Sequence, residues 1–350
     1  MNTPRIGLSY GDVLLVPHRS PVESRAAVDL STQLTPTIEL DAPVLSAPMD
    51  TVTEAETAIE LSRLGGFGTV HRFLTVAEQA AEIEAVTAVD ERVWAAIGIS
   101  EDYLDRADRT LEAGATAIVV DVAHGHLEKA LEAVEDLATE FPSVPLIAGN
   151  VATPQAVRDL ADAGADGVKV GIGPGSHCTT RVVAGAGVPQ LTAVSDAAEA
   201  AANLDISIIA DGGIRNSGDA VKALMAGADT VMMGRFFAGT VESPNAIVER
   251  DAEEDKRSRG MATTAASNER TDKDGAEPTA DEGVEALTPL SGPLESVTTE
   301  FLAGIRSGLS YVGGESIPDA RESRVHLNLR ECETSGSAHF DHDWETTSLD

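Results

Sequence analysis

Between residues 43 and 240 the chain alternates short, unbroken apolar runs with longer stretches of helical periodicity. The runs lie at 43–48, 66–71, 93–98, 117–121, 145–150, 167–171, 206–211 and 230–234. Apolar runs that do not alternate with polar residues belong to strands covered on both faces. Regular exchange of strand and helix belongs to a parallel sheet. Eight units predict an α/β protein of the (β/α)8 TIM-barrel type, with an open doubly wound sheet as the alternative. Ala-Gly-Ala before three of the runs, at 113–115, 163–165 and 226–228, repeats a helix-ending glycine at equivalent turns.

After residue 244 the rhythm stops. Residues 249–286 are rich in Asp, Glu, Thr and Ser and nearly lack apolar side chains. Such a segment is either a solvated acidic loop or a mobile flap over a site. Helical spacing returns at 294–306, and the last residues read as a tail. The whole chain, 1–350, is therefore expected to be one domain. Its barrel covers about 40–245 and 290–330, its flap about 249–288 and its tail about 331–350.

Composition narrows the function. The net charge is -33, from 25 Lys+Arg against 58 Asp+Glu. That field repels phosphate backbones and anionic lipid, so no nucleic-acid or membrane partner is expected. The acids are spread along the chain, which favours adaptation to a salt-rich cytoplasm over an acidic binding surface; at 1 M salt the Debye length is only about 3 Å. Two cysteines make no disulfide framework. With no long apolar run and no leader-like segment, a soluble cytoplasmic protein is expected.

In such barrels the chemistry sits at the C-terminal ends of the strands. Those ends carry Ser46 and Met49, His71, Asp121 and His124, Asn150, the segment 171–178, Asp211 to Gly213, and Gly234 with Arg235. Glycines after strands seven and eight, beside helix N-termini, suit a phosphate monoester; alternatively they merely end the strands. The segment from Gly171 to Arg181 is the most informative. Three glycines and a proline lead into Ser176, His177, Cys178, Thr179 and Thr180. A cysteine there, next to Arg181, is placed to be a nucleophile, while a structural thiol remains the other reading. The glycine loop could also hold a cation.

The segment 173–181, followed by 185–191, resembles the signature of the IMP dehydrogenase/GMP reductase family. Residues 8–17, 46–53, 121–126, 149–151, 210–214 and 259–261 resemble it as well, so the likeness covers nearly the whole chain. The resemblance implies that Cys178 attacks C2 of a purine nucleoside monophosphate, GMP or IMP, while Thr180 and Glu282 move protons. It implies that Ser176, Asp211, Gly213 and Gly234 hold the ribose phosphate, and that Ser46, Met49, Asn150, Gly260 and Met261 line the nucleotide pocket. Asp121 is expected to face the nicotinamide ribose of NADPH or NAD, with His124 and His71 nearby. A homotetramer is implied, and a potassium-like cation at Gly173, Gly175 and Cys178.

Both activities of that family share one covalent chemistry. A dehydrogenase must also hydrolyse its adduct, with a flap Arg-Tyr pair. Here Arg270 can be the flap arginine, but Thr271 stands in the tyrosine's place. The interval from Met261 to Glu282 is short, as in reductases, the regulatory insert domain common in dehydrogenases is absent, and 305–313 leans the same way. Segments 184–190 and 281–285 read like dehydrogenases. The expectation is GMP reductase, with IMP dehydrogenase as the alternative and an inactive nucleotide-binding regulator as a remote one. Two departures stand out. Arg235 replaces a small phosphate-site residue, and could supply a charge-assisted bond itself; Ser258 replaces a tyrosine.

Overall fold

The computed structural model describes residues 6–35, 37–100, 102–250, 253–271, 280–322 and 327–329. Cys332 and the tail lie outside them. Eight parallel strands close into a barrel. In chain order they are β1 (Val44–Ser46), β2 (Phe67–Val70), β3 (Val93–Ile97), β4 (Ile118–Asp121), β5 (Leu146–Val151), β6 (Gly167–Val170), β7 (Ser207–Asp211) and β8 (Thr230–Met233). Each coincides with one apolar run of the sequence, β5 extending one residue beyond it to Val151. The helices that follow are α1 (Ala55–Arg63), α2 (Val76–Thr87), α3 (Tyr103–Glu112), α4 (Glu128–Glu140), α5 (Pro154–Asp162), α6 (Gln190–Ala201), α7 (Ser217–Met225) and α8 (Leu294–Tyr311).

Two cores follow from this geometry. Helices and outward strand residues form a large Ala-, Val- and Leu-rich shell. A smaller cluster fills the barrel itself: Leu45, Phe67, Trp94, Val119, Ile147, Ile209 and Met232. The rings of Phe67 and Trp94 lie 4.7 Å apart between centroids, each burial contributing about 2–3 kcal/mol. A hairpin of Thr32–Thr35 and Ile38–Leu40 adds Leu34, Ile38 and Leu40 to this cluster. The Leu34 carbonyl lies beside Gly167, at the start of β6, so the hairpin plugs the N-terminal mouth. Polar strand ends are left to the opposite mouth.

Where it is described, the acidic segment carries regular structure of its own. Ile247–Arg250, Glu253–Arg259 and Glu285–Pro289 form a three-stranded antiparallel sheet, and Thr264–Glu269 is a short helix. The sheet is inserted between β8 and α8. Its buried positions include Asp255, Lys256 and Ser258, so no apolar alternation marks it in the sequence. Lys256, 2% exposed, donates to the carbonyls of Val241 and Ser243 at 2.8 and 2.7 Å and to Ser243 Oγ at 3.1 Å. Burial lowers its pKa. Lys256→Met should destabilise the protein by about 2–4 kcal/mol, because two buried acceptors of Ser243 and the Val241 carbonyl lose a charged donor; denaturant unfolding that shifts by under about 0.5 kcal/mol would show the lysine to be dispensable.

Among the described residues, no helix is long and apolar enough to cross a membrane.

Candidate active site

Cys178 sits in the loop that leaves β6, half-buried. Its Sγ donates to Thr180 Oγ1 at 3.2 Å, and Thr180 Oγ1 donates to Glu282 Oε2 at 2.7 Å. The inserted sheet delivers the glutamate. Backbone bonds from Thr179 N to Glu282 O (2.8 Å) and from Val284 N to His177 O (2.9 Å) sew residues 282–284 onto the cysteine loop. Gly260 makes the approach feasible: a Cβ there would come within 2.7 Å of the His177 carbonyl. Arg259 extends from the same strand to Asp50 in the loop after β1. The result is a hydrogen-bonded line from thiol to hydroxyl to carboxylate.

Arg181 is not aimed at the thiol. Its Nε donates to Ile172 O at 3.2 Å and its Nη2 to Val188 O at 2.6 Å, so the guanidinium braces the glycine loop. His177 is buried, and its Nε2 lies 2.9 Å from Ser258 Oγ, which also meets Thr288 Oγ1 at 2.7 Å. Desolvation, helped by the charge of Arg235, lowers His177 to about 4, so it is neutral. Ser258 is thus spent on a neighbour inside the protein.

A second group lies in the top layer of the barrel. Asp211 ends β7, and its Oδ2 accepts from Asn150 Nδ2 at 2.9 Å and from Lys169 Nζ at 3.1 Å. Asp121, ending β4, accepts from the same ammonium. Gly212 and Gly213 follow Asp211 with φ of 86° and 79°, conformations that favour glycine, and pack against Pro174 and Gly175. Met49 packs on Gly234, while Ser176 and Arg235 are exposed beside this region. Met261 is partly buried next to Gly260.

Other expected site residues are placed differently. Ser46 is fully buried, its Oγ accepting from Thr53. His71 is 2% exposed: its Nδ1 accepts from Phe73 N, and its Nε2 faces Glu54 at 3.3 Å. It fixes a turn. His124 is exposed at the rim. Arg270 stacks on Phe73 with its guanidinium carbon 4.7 Å from the ring centroid, and Thr271 donates from both N and Oγ1 to Phe73 O. The sequence reading did not single out Phe73, Arg72 or Lys169. Arg72 donates to Asp121 O at 3.1 Å. The one available signal was a lysine inside an apolar run, in a chain with five lysines.

Gly173, Gly175 and Cys178 would offer carbonyl oxygens, the donor type suited to a large monovalent cation. One lone pair of the Gly175 carbonyl already accepts the Cys178 N–H at 3.0 Å. No described cluster of His, Cys, Asp and Glu could hold a metal ion.

Residues 7–339 match the family model described as IMP dehydrogenase / GMP reductase domain. The chain is 36% identical to the inosine-5'-monophosphate dehydrogenase of Aquifex aeolicus, over 92% of this chain and 93% of that protein. It is 38% identical to the corresponding dehydrogenase of Borreliella burgdorferi, over 90% and 92%. It is 33% identical to the GMP reductase of Leishmania major, over 90% and 93%. The Aquifex alignment runs over 456 residues, more than the 350 present here, so that relative carries segments without a counterpart.

Proposed function

The chain belongs to the IMP dehydrogenase/GMP reductase family of NAD(P)-dependent purine nucleotide oxidoreductases, and on that premise we propose that it is a GMP reductase working through a covalent bond between Cys178 and C2 of the base. The observation that carries the chemistry is the Cys178–Thr180–Glu282 line. The thiol proton passes through Thr180 to Glu282, and the sulfur adds to C2 of GMP. The same line returns a proton to the exocyclic amine, which leaves as ammonia. NADPH, when bound, supplies a hydride to C2. The carbon–sulfur bond then breaks, Cys178 is restored, and IMP is released.

The nucleotide is held, in this reading, by its phosphate at Ser176, Gly213, Gly234 and Arg235 and by its ribose at Asp211. Arg235 takes the anchoring part that Ser258 cannot play from inside the sheet. Met49, Asn150, Gly260 and Met261 border the base. Asp121 gives one carboxylate oxygen to Lys169, which leaves the other for the nicotinamide ribose, with His124 at the rim beside it. A cation at Gly173, Gly175 and Cys178 would steady the loop. A tetramer in the cytoplasm fits the family and the charge.

The direction of reaction rests on the insert. A dehydrogenase needs water activated at C2, and here Arg270 lies against Phe73 with Thr271 bound to that residue's carbonyl. No tyrosine accompanies it. The opposite direction, IMP to XMP with NAD+, draws support from relatives named as dehydrogenases at 36–38% identity. Both assays belong in molar potassium chloride, given the net charge of -33. NADPH loss with GMP, matched by ammonia release, is the expected result. NADH formation with IMP instead would reverse the direction, and inactivity in both would leave a nucleotide-binding protein.

A further inference from the structure

Lys169 is a buried titratable group that the reaction above does not use. It is an interior position of β6, and its side chain is 1% exposed. Its three N–H donors are all spoken for: Asp121 Oδ1 at 2.5 Å, Asn150 Oδ1 at 2.6 Å and Asp211 Oδ2 at 3.1 Å. These partners end β4, β5 and β7. Gly149 on β5 leaves room for the lysine, since a Cβ there would lie 2.6 Å from Lys169 Cβ. Burial alone would discharge the amine, but the two carboxylates outweigh it and its pKa is raised. The ammonium therefore joins two carboxylates that are themselves only 23% and 17% exposed.

We propose that Lys169 is a positioning residue that locks Asp121 and Asp211 into one rigid unit, so that the nucleotide ribose and the nicotinamide ribose are held at a fixed separation. This deepens the site reading above and rests on it. Lys169 touches neither substrate. It acts by orienting the two acceptors; without it, each carboxylate loses its charged donor and is free to turn away from the ribose it is to bind. A neutral side chain would also leave Asn150 Oδ1 without its charged donor.

The test is binding by calorimetry on the full chain, with GMP, IMP and the oxidised dinucleotide as probes, for Lys169→Met, Asp211→Asn, Asp121→Asn and the pairwise combinations. The single lysine variant should weaken both nucleotide and dinucleotide by about tenfold or more, the scale of a charged hydrogen bond. In the Asp211→Asn background Lys169→Met should cost the nucleotide less than about threefold, and likewise for the dinucleotide with Asp121→Asn, because coupled residues are not additive. The combination with Asp121→Asn removes one charge of each sign, so the lysine's effect can be read against Asp121→Asn alone even if the single lysine variant fails to fold. Additive losses, or a lysine variant that binds like wild type, overturn the proposal while the site reading stands. Wild-type protein that binds no purine nucleotide sinks both.

Discussion

Cys178→Ala should reduce turnover by at least about 10⁴-fold, on the scale seen when a covalent nucleophile is removed, while GMP still binds. The two halves of that result come from different parts of the barrel. The thiol sits on the loop after β6, linked to Thr180 and Glu282. The proposed phosphate and ribose contacts come from the ends of β7 and β8, which the substitution leaves intact. Intact-mass measurement of wild-type protein mixed with nucleotide should show an adduct one nucleotide heavier, less ammonia for GMP. Turnover by the alanine variant within about a hundredfold of wild type would mean that no bond to sulfur is needed.

Glu282→Gln should lower kcat by about 10²–10⁴-fold, the usual worth of a placed acid–base group. The nucleotide Kd should change by less than about threefold. A glutamine fills the same volume and can still meet Thr180, but it cannot take the proton that the hydroxyl relays. Thr180→Val should produce a loss of similar size, and the double variant should be little worse than either, because each breaks the same line. If Glu282→Gln keeps kcat within about fivefold of wild type, the carboxylate is a tether for the cysteine loop and the proton travels another way.

The barrel was legible because every strand is buried on both faces and therefore unbroken in hydropathy. The inserted sheet was not, for the opposite reason: its buried positions include Asp255, Lys256 and Ser258, and polar buried positions leave no apolar pattern to read. Cys178 announced itself through the glycines and hydroxyls around it. Its partner Glu282 lies 102 residues from Thr180 in sequence, so only a likeness to known proteins could pair them beforehand. His71 and Ser46 drew notice as polar residues at strand ends, yet each is turned into the protein by a neighbour, Phe73 and Thr53 respectively. Lys169 was overlooked because one cation in an apolar run reads as a strand residue. Only the side-by-side pairing of β4 through β7 brings it to the two aspartates.

The insert departs from the barrel and returns to it at almost the same point. Thr240 and Gly292 form a bridge, Val241 N donates to Gly292 O at 3.0 Å, and Ser291 N donates to Gly239 O at 2.8 Å. The excursion therefore begins and ends at one place on the barrel, so its length can vary without changing the distance from β8 to α8.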